Sequence, residues 1–304
     1  MTLKIAVVTD DPGWHGKQLQ AAFAARGVAC QFSSLKQACI QTGRQVKVVL
    51  PGFESAHPDA VFVRGIPGGT LQQVVFHLNI LHVLEAQGVP VYNSGRAIER
   101  SVDKAFTTAC LAQAGIPTPA TWVCADRSMA EAIHEQEAAR GHRLISKPLF
   151  GSQGKGIVLV NTRFDLPDTD AIHNVWYLQR FIEQPDSQCS DWRVLVVSGV
   201  AVAAMRRSAP GWLANVAQGG SCHAAVPEGA LKTLSEQAVA CVGMDYAGVD
   251  MMRDAQGRWW VIEINSIPAW RGLQRVSARS IAAILAEDVL IKCCKKPPAS
   301  EAMQ

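Results

Sequence analysis

The sequence lacks an excess of charge of either sign. Its 29 lysines and arginines stand against 26 aspartates and glutamates, a surplus of only +3 at pH 7. So small a balance predicts no nucleic-acid partner, although a local basic pocket for phosphates stays open. No apolar run approaches the roughly 20 residues that a membrane helix needs, which predicts no membrane partner. Met1-Thr2-Leu3-Lys4-Ile5 passes straight into a strand pattern, without the apolar core of a signal peptide. The nine cysteines include no C-x-x-C pair. A disulfide scaffold and a zinc site are therefore disfavoured, and reduced thiols in a cytoplasmic protein are expected. G-x-G-x-x-G, the P-loop pattern G-x-x-x-x-G-K-[ST] and internal repeats are also missing. What remains is ordinary globular composition, 48% apolar and 18% charged over 304 residues, which suits two domains or one domain with subdomains.

Short apolar runs alternate with helical patterns through the first third. Leu3–Val8, Val46–Leu50, Ala60–Val63 and Val89–Tyr92 read as strands, and Lys17–Arg26 and Thr70–Gln87 as helices ended by Gly27 and Gly88. This alternation predicts a parallel α/β layer. Ser101 or Asp103 is placed to cap a helix through Ala105–Ala114, which Gly115-Ile116-Pro117 breaks. A strand near Thr121, a helix over Ser128–Arg140 and strands at Arg143–Lys147, Ile157–Val160 and Val175–Ile182 follow. Arg193–Val197 and Ala201–Met205 read as a hairpin, Pro227–Val242 as a helix, and Ala247–Met252 and Trp259–Ile264 as strands joined by an Asp-Ala-Gln-Gly turn. Ile281–Lys292 reads as a closing helix, and the Pro-Pro tail after it as disordered.

The strongest chemical signal is Asp250, Glu263 and Asn265. Glu263 and Asn265 lie two apart on one strand, so their side chains share a face. Three oxygen donors on one sheet face suit Mg²⁺, which takes few carboxylates and leaves sites for phosphates. A solvated hairpin face would explain polar residues too. However, Val261, Ile262, Ile264 and Ile267 make the surroundings apolar, where an unpaired carboxylate is costly.

Lys147, at a strand end, precedes the loop Gly151-Ser152-Gln153-Gly154-Lys155-Gly156. A lysine supplies a point charge for phosphates, and a glycine loop lets backbone N–H groups close over them. Lys104 is a second candidate phosphate lysine. Trp176–Glu183 is an apolar strand running into a polar linker, able to offer backbone groups and a flat slot to an adenine base. Arg64 sits at a strand end of the N-terminal layer, where ligands gather in α/β sheets. Trp270 offers either a face for an acceptor ring or ordinary packing. His77 and His82 are five apart on a helix, which is wrong spacing for a shared metal, and are read as structural. Cys293-Cys294 reads as packing.

Taken in order, the helix lysine, KPLFGSQGKG, LQRFIE, DWR, the two arginines followed by Asn215 and Gly-Gly, AGVD and EIN resemble the RimK-like branch of the ATP-grasp ligases, over nearly the whole chain to about residue 290. The resemblance implies an ATP-grasp fold: α/β overall, with α+β subdomains behind an N-terminal parallel α/β (pre-ATP-grasp) domain. It implies the division 1–99 for that domain, 100–182 for the central subdomain with the glycine loop, 183–292 for the C-terminal subdomain with the metal site, and 293–304 for the tail. It also implies an enzyme that joins a carboxylate to an amine through an acyl phosphate, forming ADP and usually adding L-glutamate.

Carried over by motif, Lys104 and Lys147 would hold the ATP phosphates with the loop Gly151, Ser152, Gln153, Gly154 and Gly156. Gln179, Arg180, Phe181 and Ile182 would line the adenine site, mainly through backbone, and Asp191 would sit at the nucleotide. Asp250, Glu263 and Asn265 would bind two Mg²⁺, or Mn²⁺. Asn215 and either Arg207 or Arg206 would contact the transferring phosphate or the acyl phosphate. Arg64 and Trp270 would face the acceptor. Arg180, Leu213 and Ala269 depart from the branch's usual residues and bear on adenine contacts and acceptor preference. The stretch Ser266–Gln274 looks most like ligases of tetrahydromethanopterin biosynthesis. A protein or peptide tail, or an amino-group carrier protein, is the alternative acceptor, and a non-catalytic ATP-binding module the second alternative. The branch implies small-molecule substrates (ATP, L-glutamate and a carboxylate acceptor) and a homodimer or homotetramer.

Overall fold

The computed structural model describes residues 3–151, 154–184, 188–212 and 221–294. Asn215, Leu213, Ser152, Gln153 and the tail from 295 onward lie outside them.

The chain opens with β1 (Lys4–Val8), α1 (Gly13–Ala24), β2 (Ala29–Ser33), β3 (Cys39–Gln41), β4 (Lys47–Val49), β5 (Ala60–Val63), α2 (Leu71–Ala86) and β6 (Val91–Tyr92). Four of these strands form a parallel sheet ordered β2-β1-β5-β6. Parallel strands covered on both faces need apolar residues in both directions, and β1 shows them. Ile5 and Val7 pack with Leu19 and Phe23 of α1, whereas Ala6 and Val8 pack with Leu78, Leu81 and Leu84 of α2. Helix α2 begins at Thr70, whose side chain closes a capping box with Gln73. β4 falls within the expected strand Val46–Leu50, whereas β2 and β3 were not readable as strands, because their residues alternate weakly.

Next come α3 (Gly95–Val102), α4 (Lys104–Gln113), β7 (Thr121–Cys124), α5 (Arg127–Ala139), β8 (Leu144–Lys147), β9 (Val158–Val160) and β10 (Trp176–Arg180). Of the two candidate caps, Asp103 is the one used. Its carboxylate accepts from the N–H groups of Ala105 and Phe106. The four strands form an antiparallel sheet ordered β7-β10-β8-β9, with a small core of its own around Trp176 and Leu178.

The last part holds β11 (Gln188–Val197), β12 (Val200–Pro210), β13 (Ser221–Ala225), α6 (Gly229–Val242), β14 (Tyr246–Arg253), β15 (Trp259–Asn265), α7 (Arg271–Val276) and α8 (Ile281–Cys294). Its antiparallel sheet is ordered β13-β12-β11-β14-β15. Val194, Val249 and Met251 pack on Leu231, Val239 and Val242 of α6, so the alternate residues face the other way. The β11–β12 hairpin is longer than expected and carries Asp191 and both arginines in its ladder. Helix α8 runs two residues into the expected tail. It returns to the first sheet, where Ile281, Leu285 and Val289 join the core of β1 and α1.

Asn93 ties the first sheet to the last. It is fully buried; its Nδ2 donates to the carbonyls of Tyr246 and Ser266 at 2.7 Å each, and its Oδ1 accepts from the N–H groups of Asp245 and Tyr246.

Candidate active site

The two antiparallel sheets face each other across a cleft of about 1170 Å³, open mouth included. From the smaller sheet and its flanks it takes Ile145, Lys147, Gln179, Phe181 and Ile182; from the larger sheet it takes Asp191, Arg193, Arg207, Asp250, Glu263 and Asn265. Lys104 and the glycine loop close one side. Six cations (Lys104, Lys147, Lys155, Arg180, Arg193 and Arg207) oppose three carboxylates in this lining, so the cleft suits an anionic ligand.

Lys147 ends β8 and is buried, with its Nζ donating to Gln179 Oε1 at 2.7 Å. Burial lowers its pKa to about 8 and Lys104 adds to that, while Glu263 and Asp250 oppose it. Gln179 was expected to serve adenine mainly through backbone; its side chain is engaged elsewhere. Its Nε2 donates to Thr121 Oγ1 and to the Tyr177 hydroxyl, which pairs with Thr108. The lysine is thus held at the end of a hydrogen-bonded chain rooted in the sheet.

Lys104, the first residue of α4, donates to the carbonyls of Leu149 and Gly151 at 3.2 and 2.9 Å and stands 3.9 Å from Glu263. It ties the glycine loop to the metal-candidate strand. Burial lowers its pKa and Glu263 opposes the shift. Gly156 has φ +73°, and a Cβ there would lie 2.8 Å from Pro148 Cγ, so only glycine fits.

Arg180, the departure from the branch that bears on adenine contacts, lines the cleft. Its guanidinium turns to Glu137, with Nε and Nη2 donating at 2.9 and 2.6 Å. Burial would raise the Glu137 pKa, but Arg180 and Arg140 bring it below the usual value. Phe181 and Trp212 meet edge to face at 6.2 Å in the cleft, and Arg143 lies over Phe181 at 4.5 Å. Trp212 was not anticipated, because nothing in its local sequence marks it.

The strand register decides between the two arginines. Arg207 pairs with Asp191 across β11–β12 and faces the cleft. Arg206 points the other way, exposed, donating to Ser190 Oγ and lying 5.5 Å over Trp192. The expectation that Arg206 could serve the phosphate is therefore corrected by strand alternation. Arg207 donates to Asp191 at 2.5 and 2.7 Å and lies 3.1 Å from Asp250. Arg193 clasps Asp250 from the other side at 2.7 and 2.5 Å. Burial alone would raise the Asp250 pKa, but Arg193 and Arg207 outweigh it and hold it at about 2. Asp191 goes the other way, because burial beside Asp250 exceeds the pull of Arg207. Arg193 was overlooked as a site residue, although its place two residues after Asp191 puts both on one face.

Asp250 and Glu263 are direct cross-strand partners, and Gly248 pairs with Asn265. The register slips between Asp250 and Met251, leaving Ile262 unpaired, and Ile262 and Glu263 both line the cleft. Such a bulge re-aims side chains at a site. The donor set fits a hard divalent cation. Among the described residues Glu263 makes no hydrogen bond and its ion pair is with Lys104, and Asn265 Nδ2 is buried without a hydrogen-bond partner there. Asp250 keeps acceptor capacity beyond its three arginine contacts.

Arg64 and Trp270 lie outside this lining, beyond the end of β15. Arg64 Nη1 donates to the Ile267 carbonyl at 3.4 Å, and its guanidinium lies 5.0 Å over the Trp270 ring. Trp270 is only 1% exposed, so it has no free face for an acceptor ring to stack on. His77 hydrogen-bonds the Pro67 carbonyl and His82 meets Glu99, so the two do not converge. No helix among the described residues is long and apolar enough to cross a membrane.

Comparison with known proteins agrees with this architecture. The model of the RimK-like ATP-grasp domain matches residues 101–289. The tetrahydromethanopterin:alpha-L-glutamate ligase of Methanococcus maripaludis is 33% identical over 235 residues, covering 75% of this chain and 78% of that protein. A protein of Aeromonas salmonicida named "Probable alpha-L-glutamate ligase" is 29% identical over 311 residues, covering 98% and 100%. The structure of the ATP-grasp ligase PsnB complexed with minimal precursor, Mg and ADP superposes with a TM-score of 0.73 at 20% identity, covering 96% and 99%. This chain belongs to the RimK-like ATP-grasp family, whose members are carboxylate–amine ligases that use ATP and Mg²⁺.

Proposed function

We propose that this chain is an ADP-forming alpha-L-glutamate ligase whose acceptor is a small C1 carrier of the tetrahydromethanopterin type. The observation that carries the ligase reading is the cationic cleft between two sheets with Asp250, Glu263 and Asn265 on one wall. The acceptor rests on the name of the M. maripaludis relative and on the resemblance of Ser266–Gln274. A protein or peptide tail is the second reading, favoured by a structure of the same PsnB neighbour complexed with a precursor peptide.

Phosphoryl transfer needs positioning and charge neutralisation more than covalent help. Lys147, oriented by Gln179, and Lys104, bound to the loop carbonyls, hold the β- and γ-phosphates. Asp250, Glu263 and Asn265 would hold two Mg²⁺, which neutralise charge on the phosphates when bound. Phe181 and Ile182, with Trp212, take the adenine. An acceptor carboxylate oxygen attacks the γ-phosphorus and ADP leaves. The glutamate amine then attacks the acyl carbon and phosphate leaves. Arg207, fixed by Asp191, stabilises the oxyanion and the departing phosphate together with Asn215. The glycine loop limits hydrolysis of the acyl phosphate by shielding it from water.

The test is ADP release with ATP, Mg²⁺ and L-glutamate over a panel of a tetrahydromethanopterin precursor, a folate and acidic peptides. Stimulation by the first, with a mass gain of a glutamyl unit, supports the proposal. Stimulation by a peptide alone shifts the acceptor to the second reading, and no stimulation by any of them overturns the acceptor proposed here.

A further inference from the structure

A second cationic corner adjoins the cleft where β15 ends. Arg64 closes β5, and among the described residues no carboxylate forms an ion pair with it. Its Nε is buried and donates to none of the described residues, and the Nε1 of the Trp270 ring beneath it is likewise buried without a partner among them. Two stacked side chains therefore hold two unmatched N–H donors. Native proteins rarely leave such groups unmatched unless a ligand or water completes them.

His15, in the first turn of α1, completes the corner. Its ring meets the edge of Trp270 at 4.7 Å, and its Nε2 accepts the backbone N–H of Trp270 at 3.1 Å. An imidazole that accepts at Nε2 is neutral and carries its proton on Nδ1. Burial, with Arg64 and Arg271 facing the ring, keeps it neutral by holding its pKa at about 4. Among the described residues the corner thus offers a fixed guanidinium and spare N–H donors, its two acceptors, the Ile267 carbonyl and His15 Nε2, are already engaged, and no carboxylate pairs with it. That is the chemistry of a carboxylate site.

Its position narrows the ligand further. Ile267 and Trp270, which hold Arg64, follow Asn265 directly in the chain. The reacting carboxylate belongs at the phosphates beside Lys104 and Lys147, inside the cleft. An anion at Arg64 is therefore a different group, held beside the reaction. We infer that Arg64, positioned by His15 and Trp270, binds the non-reacting carboxylate of a dicarboxylate substrate. This rests on the ligase reading for which carboxylate reacts. The non-reacting group belongs either to L-glutamate or to an acceptor that ends in two carboxylates.

The experiment measures binding to the full chain without turnover, by calorimetry, using glutarate, L-glutamate and the monocarboxylate butyrate. The proposal expects wild type to bind at least one of the two dicarboxylates more tightly than butyrate. Arg64→Met should weaken that binding roughly tenfold or more, as loss of a charge-assisted pair does, with Arg64→Lys between the two and the ATP dissociation constant unchanged. Melting temperature should fall little in Arg64→Met, since the arginine has no counter-charge to lose, only a long hydrogen bond to the Ile267 carbonyl and its contact with the Trp270 ring. If glutarate and L-glutamate exclude each other, the carboxylate is that of the amine donor; if both bind together, it is the acceptor's. The proposal is overturned if wild type binds neither dicarboxylate better than butyrate, or if Arg64→Met binds them as wild type does. Because no ATP is consumed, a chain that failed as a glutamate ligase could still pass, and an active ligase could still fail.

Discussion

At the scale of single residues, the cleft contrasts groups held by partners with groups left open. Asp250 is clasped by two arginines, whereas Glu263 makes no hydrogen bond among the described residues. Removing Glu263 therefore costs the fold little. Glu263→Ala is expected to cut ATP turnover by about 100-fold or more while leaving the melting temperature within a degree or two, measured by ADP release and calorimetry on one preparation. Lys147 gives a pH dependence. Burial lowers its pKa to about 8, so above that pH the neutral amine dominates and phosphate binding must take up a proton. ATP affinity should fall as pH rises from 7.5 to 9.5, by up to about tenfold per unit above the pKa. Gln179→Ala, which frees the amine, should change that profile. The metal-candidate residues were legible because a two-residue spacing fixes a shared face. The side-chain partner of Lys147 was not, since Gln179 is distant in sequence and only the sheet register joins them. His15 was equally silent, being a lone histidine at a helix start.

At the scale of elements, helix starts and strand registers place the chemistry. Asp103 caps α4 and so sets where Lys104 leaves the helix. Asp103→Ala should lower stability by about 1 kcal/mol and raise the Michaelis constant for ATP, which a denaturation curve and a kinetic assay would show together. The bulge at Ile262 turns two successive side chains into the cleft, a step that alternation alone does not reveal. The choice between Arg206 and Arg207 was likewise closed to sequence reading, because the hairpin runs to Pro210 and its pairing fixes which residue faces Asp191. The long strands and most helices were readable from apolar period and glycine stops. β13 and α3 were not, because β13 is mixed in character and short, and α3 is largely polar with few buried residues.

At the scale of the whole molecule, the first sheet is locked to the last by buried polar contacts. Asn93 satisfies its amide in four hydrogen bonds to backbone at Asp245, Tyr246 and Ser266. Asn93→Ala would strand two buried N–H groups and two carbonyls, and is expected to destabilise the chain by about 3 kcal/mol or more, read from urea denaturation. Because Ser266 follows Asn265 directly, the same variant should also weaken divalent-ion dependence of ATP turnover. The parallel layer at the N-terminus was legible in the alternation of strands and helices. Its attachment through Asn93 was not, because a single asparagine after a strand carries no pattern. Helix α8 adds a second attachment, with Lys292 paired to Asp245 at 2.7 Å and Tyr92 donating to Asp288.

The most direct test of the account follows the oxygen atoms. An accepted carboxylate labelled with ¹⁸O in both positions is turned over with ATP, Mg²⁺ and L-glutamate, and the released phosphate is analysed by mass spectrometry. An acyl phosphate formed in this cleft predicts one labelled oxygen in each phosphate, with ADP as the nucleotide product. Unlabelled phosphate, or label appearing in AMP, would contradict it.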